Sequence, residues 1–175
     1  MNKLLFLATL VLTSSPAFSA AIATDGTYYE FGFAGVGSSG TACAGCTPTN
    51  PASDPTVDPP WTFSGPGTLF VLDLFLSVDQ FDLYDFGVLL GTTSVPTSGG
   101  GCGNDIACAI LDAQYSRGTF LLGGGNHSLT IVQTAGQTGA AVFSVNAGEV
   151  PEPSSYALLG LGLAALLGRK HLLRR

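Results

Sequence analysis

Four cysteines, a spaced run of aspartates, one histidine and a few aromatics are the residues of this chain with chemistry to offer. Cys43 and Cys46 lie in a Cys-Ala-Gly-Cys run, and Cys102 and Cys108 are spaced more widely. Local pairing, Cys43–Cys46 and Cys102–Cys108, would staple two separate loops, whereas crossed pairing would tie those loops together. Cys43 and Cys46 also have zinc-ligand spacing. The second pair does not match it, and an exported domain sits where thiols are oxidised, so disulfides are expected. A redox role would need a strand–helix–strand context around Cys43 and Cys46, and the sequence has none.

Asp79, Asp82 and Asp85 recur at intervals of three. In an extended strand, alternation puts Asp79 and Asp85 on the Phe81 face and Asp82 on the other. Asp79 and Asp85 are therefore the candidate ligands of a structural Ca²⁺ completed by loop carbonyls, although EF-hand spacing is missing. The alternative is solvated strand ends and a turn aspartate. No other cofactor is expected. His127 is the only histidine outside the last five residues, and a Ser-His-Asp triad would have to use it. No G-x-S-x-G run accompanies it, so no catalytic residue is assigned. A glycosidase needs two facing carboxylates, and spacing in sequence shows no such pair. Trp61 and Tyr84, with Tyr28, Tyr29 and Tyr115, are candidate sugar contacts if exposed and packing residues if not.

The elements that must position these residues read as short strands punctuated by Gly, Pro, Asn and Asp. Strands are expected over 27–36, 68–78, 80–84, 88–92, 118–122, 128–134 and 140–146. Phe70, Leu72, Leu74 and Leu76 share a face at period two, with Asp73 opposite. Asp85-Phe86-Gly87 reads as a tight reversal. Ile106–Tyr115 has room for a helical turn or more. Residues 37–60, with Cys43 and Cys46, and 93–105, which leads through Cys102 to Cys108, read as long loops. The pattern predicts an all-β antiparallel sandwich, jelly-roll-like, with a C-terminal apolar helix.

Charge narrows the partners. Charged residues are 10% of the 175, well below the usual share of about a quarter. Lys3, Arg117, Arg169, Lys170, Arg174 and Arg175 are the six basic residues, while the twelve acids fall between Asp25 and Glu152. A central region with one arginine cannot neutralise phosphates, so nucleic acid is not a partner.

The two ends carry an address. Met1-Asn2-Lys3, the apolar run Leu4–Leu12 and the small residues up to Ala23 have the form of a secretory signal peptide over 1–23, cleavable after Ser19, Ala21 or Ala23. The acidic ectodomain would span 24–149. The tail, 150–175, holds Pro151-Glu152-Pro153, an apolar stretch from Ser154 to Gly168, and a basic end of Arg169, Lys170, Arg174 and Arg175. That stretch covers about 22 Å as a helix, short of a hydrocarbon core of about 30 Å unless Arg169 and Lys170 snorkel.

This tail resembles the PEP-CTERM sorting signal of Gram-negative bacteria that secrete exopolysaccharide. The resemblance implies an exosortase as partner, cleavage at or near Pro151-Glu152-Pro153, and a membrane association through the tail that ends on processing. A tail kept as a permanent anchor is the competing reading. The stretches 79–94 and 117–131 are similar to features of PEP-CTERM ectodomains, and to jelly-roll carbohydrate-binding modules. The expected role is therefore a non-enzymatic structural or adhesive protein of the cell surface or the exopolysaccharide matrix. The alternatives are a module that binds matrix polysaccharide and a secreted hydrolase.

Overall fold

The computed structural model describes residues 20–148, Ala44 and Thr47 excepted. Most of the expected signal peptide and the whole sorting tail, with its apolar helix, lie outside the described residues. The elements are β1 (Ala20–Ala21), β2 (Asp25–Phe33), β3 (Thr41–Ala42), β4 (Asp54–Pro55), β5 (Trp61–Asp73), β6 (Gln80–Asp85), β7 (Val88–Thr92), α1 (Ile106–Leu111), β8 (Arg117–Ala135) and β9 (Gly139–Ala147). The strands form one sheet in the order β3-β2-β9-β5-β8-β6-β7, with β1 beside β5 and β4 beside β2. All pairs along that path are antiparallel; β1 and β4 pair in parallel. The fold is the expected all-β antiparallel one.

The sheet curls on itself, so that two halves of one sheet supply the layers of the sandwich. A flat sheet would hold β2 and β6, four strand steps apart, at about 19 Å. Instead the rings of Phe33 and Phe81 stand 5.0 Å apart. The chain beyond β2 closes the structure: Gly37 and Gly40 donate backbone N–H groups to the carbonyls of Gln133 and Ile131 on β8. The bend falls in the two longest strands, where Gly65 and Gly67 of β5 oppose Gly125 and Leu122 of β8 across a bulge. A Cβ at Gly65 would come within 2.6 Å of the Gly123 carbonyl oxygen and 2.8 Å of His127 Nε2. Glycine lets the two strands turn the corner together.

Phe31, Trp61, Leu69, Val71, Phe81, Leu83, Ile131 and Phe143 fill the space inside the curl. A second cluster forms on the outer face, where α1 and the chain around Tyr115 cover Leu72, Leu74 and Val142. As a result β9 is buried on both faces from Ala140 to Val145. Asp105 caps α1, its side chain accepting from Cys108 N at 2.9 Å. At the other end the Arg117 guanidinium donates to the carbonyls of Ile110 and Asp112. The single basic residue of the domain is thus spent on the exposed carbonyls that end a helix.

The first described residues pair with the sheet. Ala20 and Ala21 pair with Trp61 and Thr62, Ile22 N donates to Thr62 O, and the Ile22 side chain is buried in the main core. This pairing favours processing before Ala20 over the expected boundary at residue 23. Cleavage after Ala21 or Ala23 would remove a paired strand, and the later cut a core side chain as well. Of the three small-residue sites, the one after Ser19 leaves the sheet whole. Amino-terminal sequencing of the exported protein should read Ala-Ala-Ile-Ala-Thr; a start at Thr24 would mean that β1 is dispensable.

Candidate functional site

The two cysteine pairs close locally, Cys43 with Cys46 and Cys102 with Cys108, each with Cα atoms 5.5 Å apart. Among the described residues no cysteine is free. The loop of Cys102–Cys108 leads into α1, and Phe75 N binds the Gly103 carbonyl, docking that loop on the outer cluster.

Asp79 and Asp85 sit at opposite ends of β6, six residues and about 20 Å of strand apart. They cannot share one ion, and a Ca²⁺ site built on both is ruled out by that distance. Each instead has its own partners. Asp85 accepts from His127 Nδ1 and from the backbone N of Ser128, both at 2.8 Å. Asp79 Oδ1 accepts from Gln133 Nε2 at 2.8 Å and from Gln137 N at 2.6 Å. Gly136, with φ +102°, makes that turn; a Cβ there would run into Asp79 Oδ1.

Asp79 also reaches a residue that the strand pattern placed away from the apolar face. Asp73 lies at the end of β5 with no exposed surface, and its Oδ2 accepts from Asp79 N at 3.2 Å while its Oδ1 is buried without a partner. Burial, and then the neighbouring Asp79 charge, push the Asp73 carboxyl up to about 9. Burial also raises Asp79. This is a buried carboxyl pair with the apolar core on one side.

His127 has an aspartate but no nucleophile. Its Nε2 faces the Gly123 carbonyl at 3.1 Å, and its ring stacks on Phe63 with centroids 5.2 Å apart. The position a serine hydroxyl would take in a triad is filled by a backbone carbonyl at the sheet corner. The contact with Asp85 is the only ion-pair contact among the described residues. It ties the end of β6 to the glycine bend of β8.

Trp61 is fully buried, its Nε1 donating to Val57 O at 2.8 Å and its ring 4.9 Å from that of Phe143. It is a core residue, which corrects its candidacy as a sugar contact. Tyr115 is equally buried, and Tyr29 stacks against Phe143. Tyr28 packs against the second cluster, whereas Tyr84 keeps the candidacy: it is half-buried on the outer face of β6 beside Asp82, whose Oδ1 accepts from Thr92 Oγ1. Sequence reasoning missed Glu30. It projects from β2, is 3% exposed, and lies with Cys43 and Cys46 in one cluster. A lone Glu in an aromatic strand, Tyr-Tyr-Glu-Phe-Gly-Phe, was the available signal.

What decides the chain's class follows directly on the end of β9. Residues 149–175 match the family description "PEP-CTERM protein-sorting motif". The chain carries a PEP-CTERM sorting motif. No curated protein and no solved structure matches it. This PEP-CTERM protein is an exported substrate of an exosortase, held at the membrane by its tail before processing. Pro151, Glu152, Pro153 and the basic Arg169, Lys170, Arg174 and Arg175 fall inside the matched segment and outside the described residues.

Proposed function

We propose that the processed domain of this PEP-CTERM protein is a non-enzymatic structural or adhesive component of the cell surface or exopolysaccharide matrix. The observation that carries the reading is the sorting motif at residues 149–175, immediately after a compact sheet that ends at Ala147. Three features of the domain support it. Two disulfides staple the loops. Charge is sparse on a Gly-rich chain. The carboxylates best placed for acid–base work, Asp73 and Asp79, are sealed in the core.

A second reading rests on Tyr84, an aromatic on an open sheet face beside a carboxylate, which is the arrangement a neutral sugar ring stacks on. It makes the domain a carbohydrate-binding module for the matrix polysaccharide. Affinity electrophoresis in that polysaccharide separates the two: retardation that Tyr84→Ala abolishes favours the module, and unretarded wild type favours the structural role.

The delivery step is tested by intact mass and C-terminal peptide mapping of envelope and extracellular fractions. The wild type should end near Pro151-Glu152-Pro153. With all three residues changed to Ala, the chain should accumulate in the inner membrane still ending at Arg175. A wild type that itself ends at Arg175 in that membrane makes the tail a permanent anchor and removes the matrix role.

A further inference from the structure

The loop after β3 holds a cluster that neither sorting nor adhesion uses. One carboxylate oxygen of Glu30 and the sulfurs of Cys43 and Cys46 all lie within 4.8 Å of one another. Glu30 is 3% exposed; its Oε2 accepts a 3.3 Å bond from Ser53 Oγ, and its Oε1 is buried with no hydrogen-bond partner. A carboxylate oxygen removed from water and left without a donor forfeits its solvation with no hydrogen bond in exchange. A bare structural disulfide gives no return for burying a carboxylate beside it. A cleft of about 380 Å³, lined by Glu30, Cys43, Cys46, Pro48, Ser53 and Pro55, opens onto the three groups.

Two sulfurs three residues apart and a carboxylate with an orphaned oxygen are the donor set of a three-ligand metal site. In tetrahedral coordination, bonds of about 2.3 Å to sulfur and about 2.0–2.2 Å to oxygen place neighbouring donors about 3.5–3.8 Å apart. The present spacing reaches that with small side-chain rotations. We propose that, in the reduced protein, Cys43, Cys46 and Glu30 bind a thiophilic divalent cation of the Zn²⁺ class, with its fourth position open to the cleft. Thiolate donors select such an ion over Ca²⁺ or Mg²⁺. In the disulfide form both sulfurs are committed to each other. A dithiol must first transfer two electrons and two protons to the bond, leaving as its own disulfide. The cation then displaces the two thiol protons and gives the Glu30 oxygen the partner it lacks. The disulfide and the metal site are two states of the same residues, chosen by the thiol poise of the surroundings.

The test uses the full-length protein in detergent, reduced with a non-chelating phosphine and titrated with Co²⁺. Thiolate-bound tetrahedral Co²⁺ has a sulfur-to-metal charge-transfer band and intense visible bands that aqueous Co²⁺ lacks. One equivalent should generate them, Zn²⁺ should bleach them, and the oxidised protein should give none. The bands should vanish in Cys43→Ser/Cys46→Ser and persist in Cys102→Ser/Cys108→Ser. Glu30→Gln should keep the charge-transfer band and weaken binding about tenfold or more, on the scale of losing a metal-orienting group. A reduced chain that unfolds and is refolded by Zn²⁺ also supports the site, because metal binding then drives folding. The proposal is overturned if reduced wild type gives no bands, or stays unfolded in excess Zn²⁺. It is equally overturned if the bands survive loss of Cys43 and Cys46, or if Glu30→Gln binds as tightly as wild type.

Discussion

Asp73→Asn should stabilise the domain at pH 8 by about 3 kcal/mol and remove most of the decline in stability that wild type shows between pH 4 and pH 9. The carboxyl is wholly buried, its Oδ1 has no partner, and Asp79 stands beside it. Its folded pKa is raised from 3.8 to about 9. Within that window the folded state holds a proton that the unfolded chain has released. Stability therefore falls as pH rises, by up to about 1.4 kcal/mol per pH unit, and this group's contribution is complete only below pH 4. Asn is neutral throughout and can still accept the Asp79 N–H, so its curve should be nearly flat. Asp79 and Glu30, both raised by burial, leave a residual slope of the same sign. Urea unfolding followed through Trp61 fluorescence at pH 5 and pH 8 reads the effect. A wild type as stable at pH 8 as at pH 5, or a variant with an unchanged slope, would refute it.

Phe31→Ala should cost about 3–5 kcal/mol, a large share of the 5–15 kcal/mol that holds a domain of this size together. Phe31 has no exposed surface and meets four rings: Phe33, Trp61, Phe81 and Phe143, with centroids 5.5 to 6.1 Å away. Those rings come from β2, β5, β6 and β9, so this one side chain joins both halves of the curled sheet. The site has little freedom to collapse, because a Cβ at Gly40 would already lie 2.8 Å from Phe31 and 2.9 Å from Trp61. The urea midpoint of the oxidised variant measures the loss. A loss under about 1 kcal/mol would mean that the layers do not depend on this ring for their contact.

The hairpin of β6 and β7 was fully legible in the sequence. Val88–Thr92 is found where it is expected, and the turn before it puts Phe86 and Gly87 at φ +47° and +77°, the primed-turn geometry that Asp-Phe-Gly announced. The alternation in β6 also held, with Phe81 and Leu83 inside and Asp82 and Tyr84 on the outer face. By contrast β8 read as two strands, because Gly123-Gly124-Gly125 looks like a break. It is one strand whose glycines bend with the sheet. Asp73 was misplaced for a physical reason. A strand pattern shows two faces but not what covers each, and β5 is covered on both. The cover on the outer face is the loop leading through α1, which has the Gly, Ser and Pro content of a solvated connection. Glu30 could not be linked to Cys43 and Cys46 from spacing, because their meeting depends on how the loop after β3 folds back.

The two ends of the domain leave it side by side. Ala147 N donates to Thr24 O at 2.7 Å, and Asp25 pairs with Asn146. Five residues separate Gly148 from Ser154, where the apolar stretch begins, so the leash before cleavage is at most about 20 Å. Any tether through the tail therefore reaches the domain at the pole where β2 begins and β9 ends. The antiparallel run of β2 and β9 puts Phe33 and Gly139 at the other pole, and these line a cleft with Cys43, Cys46 and Phe75. That pole lies the length of β2 away from the place where the two ends of the domain meet.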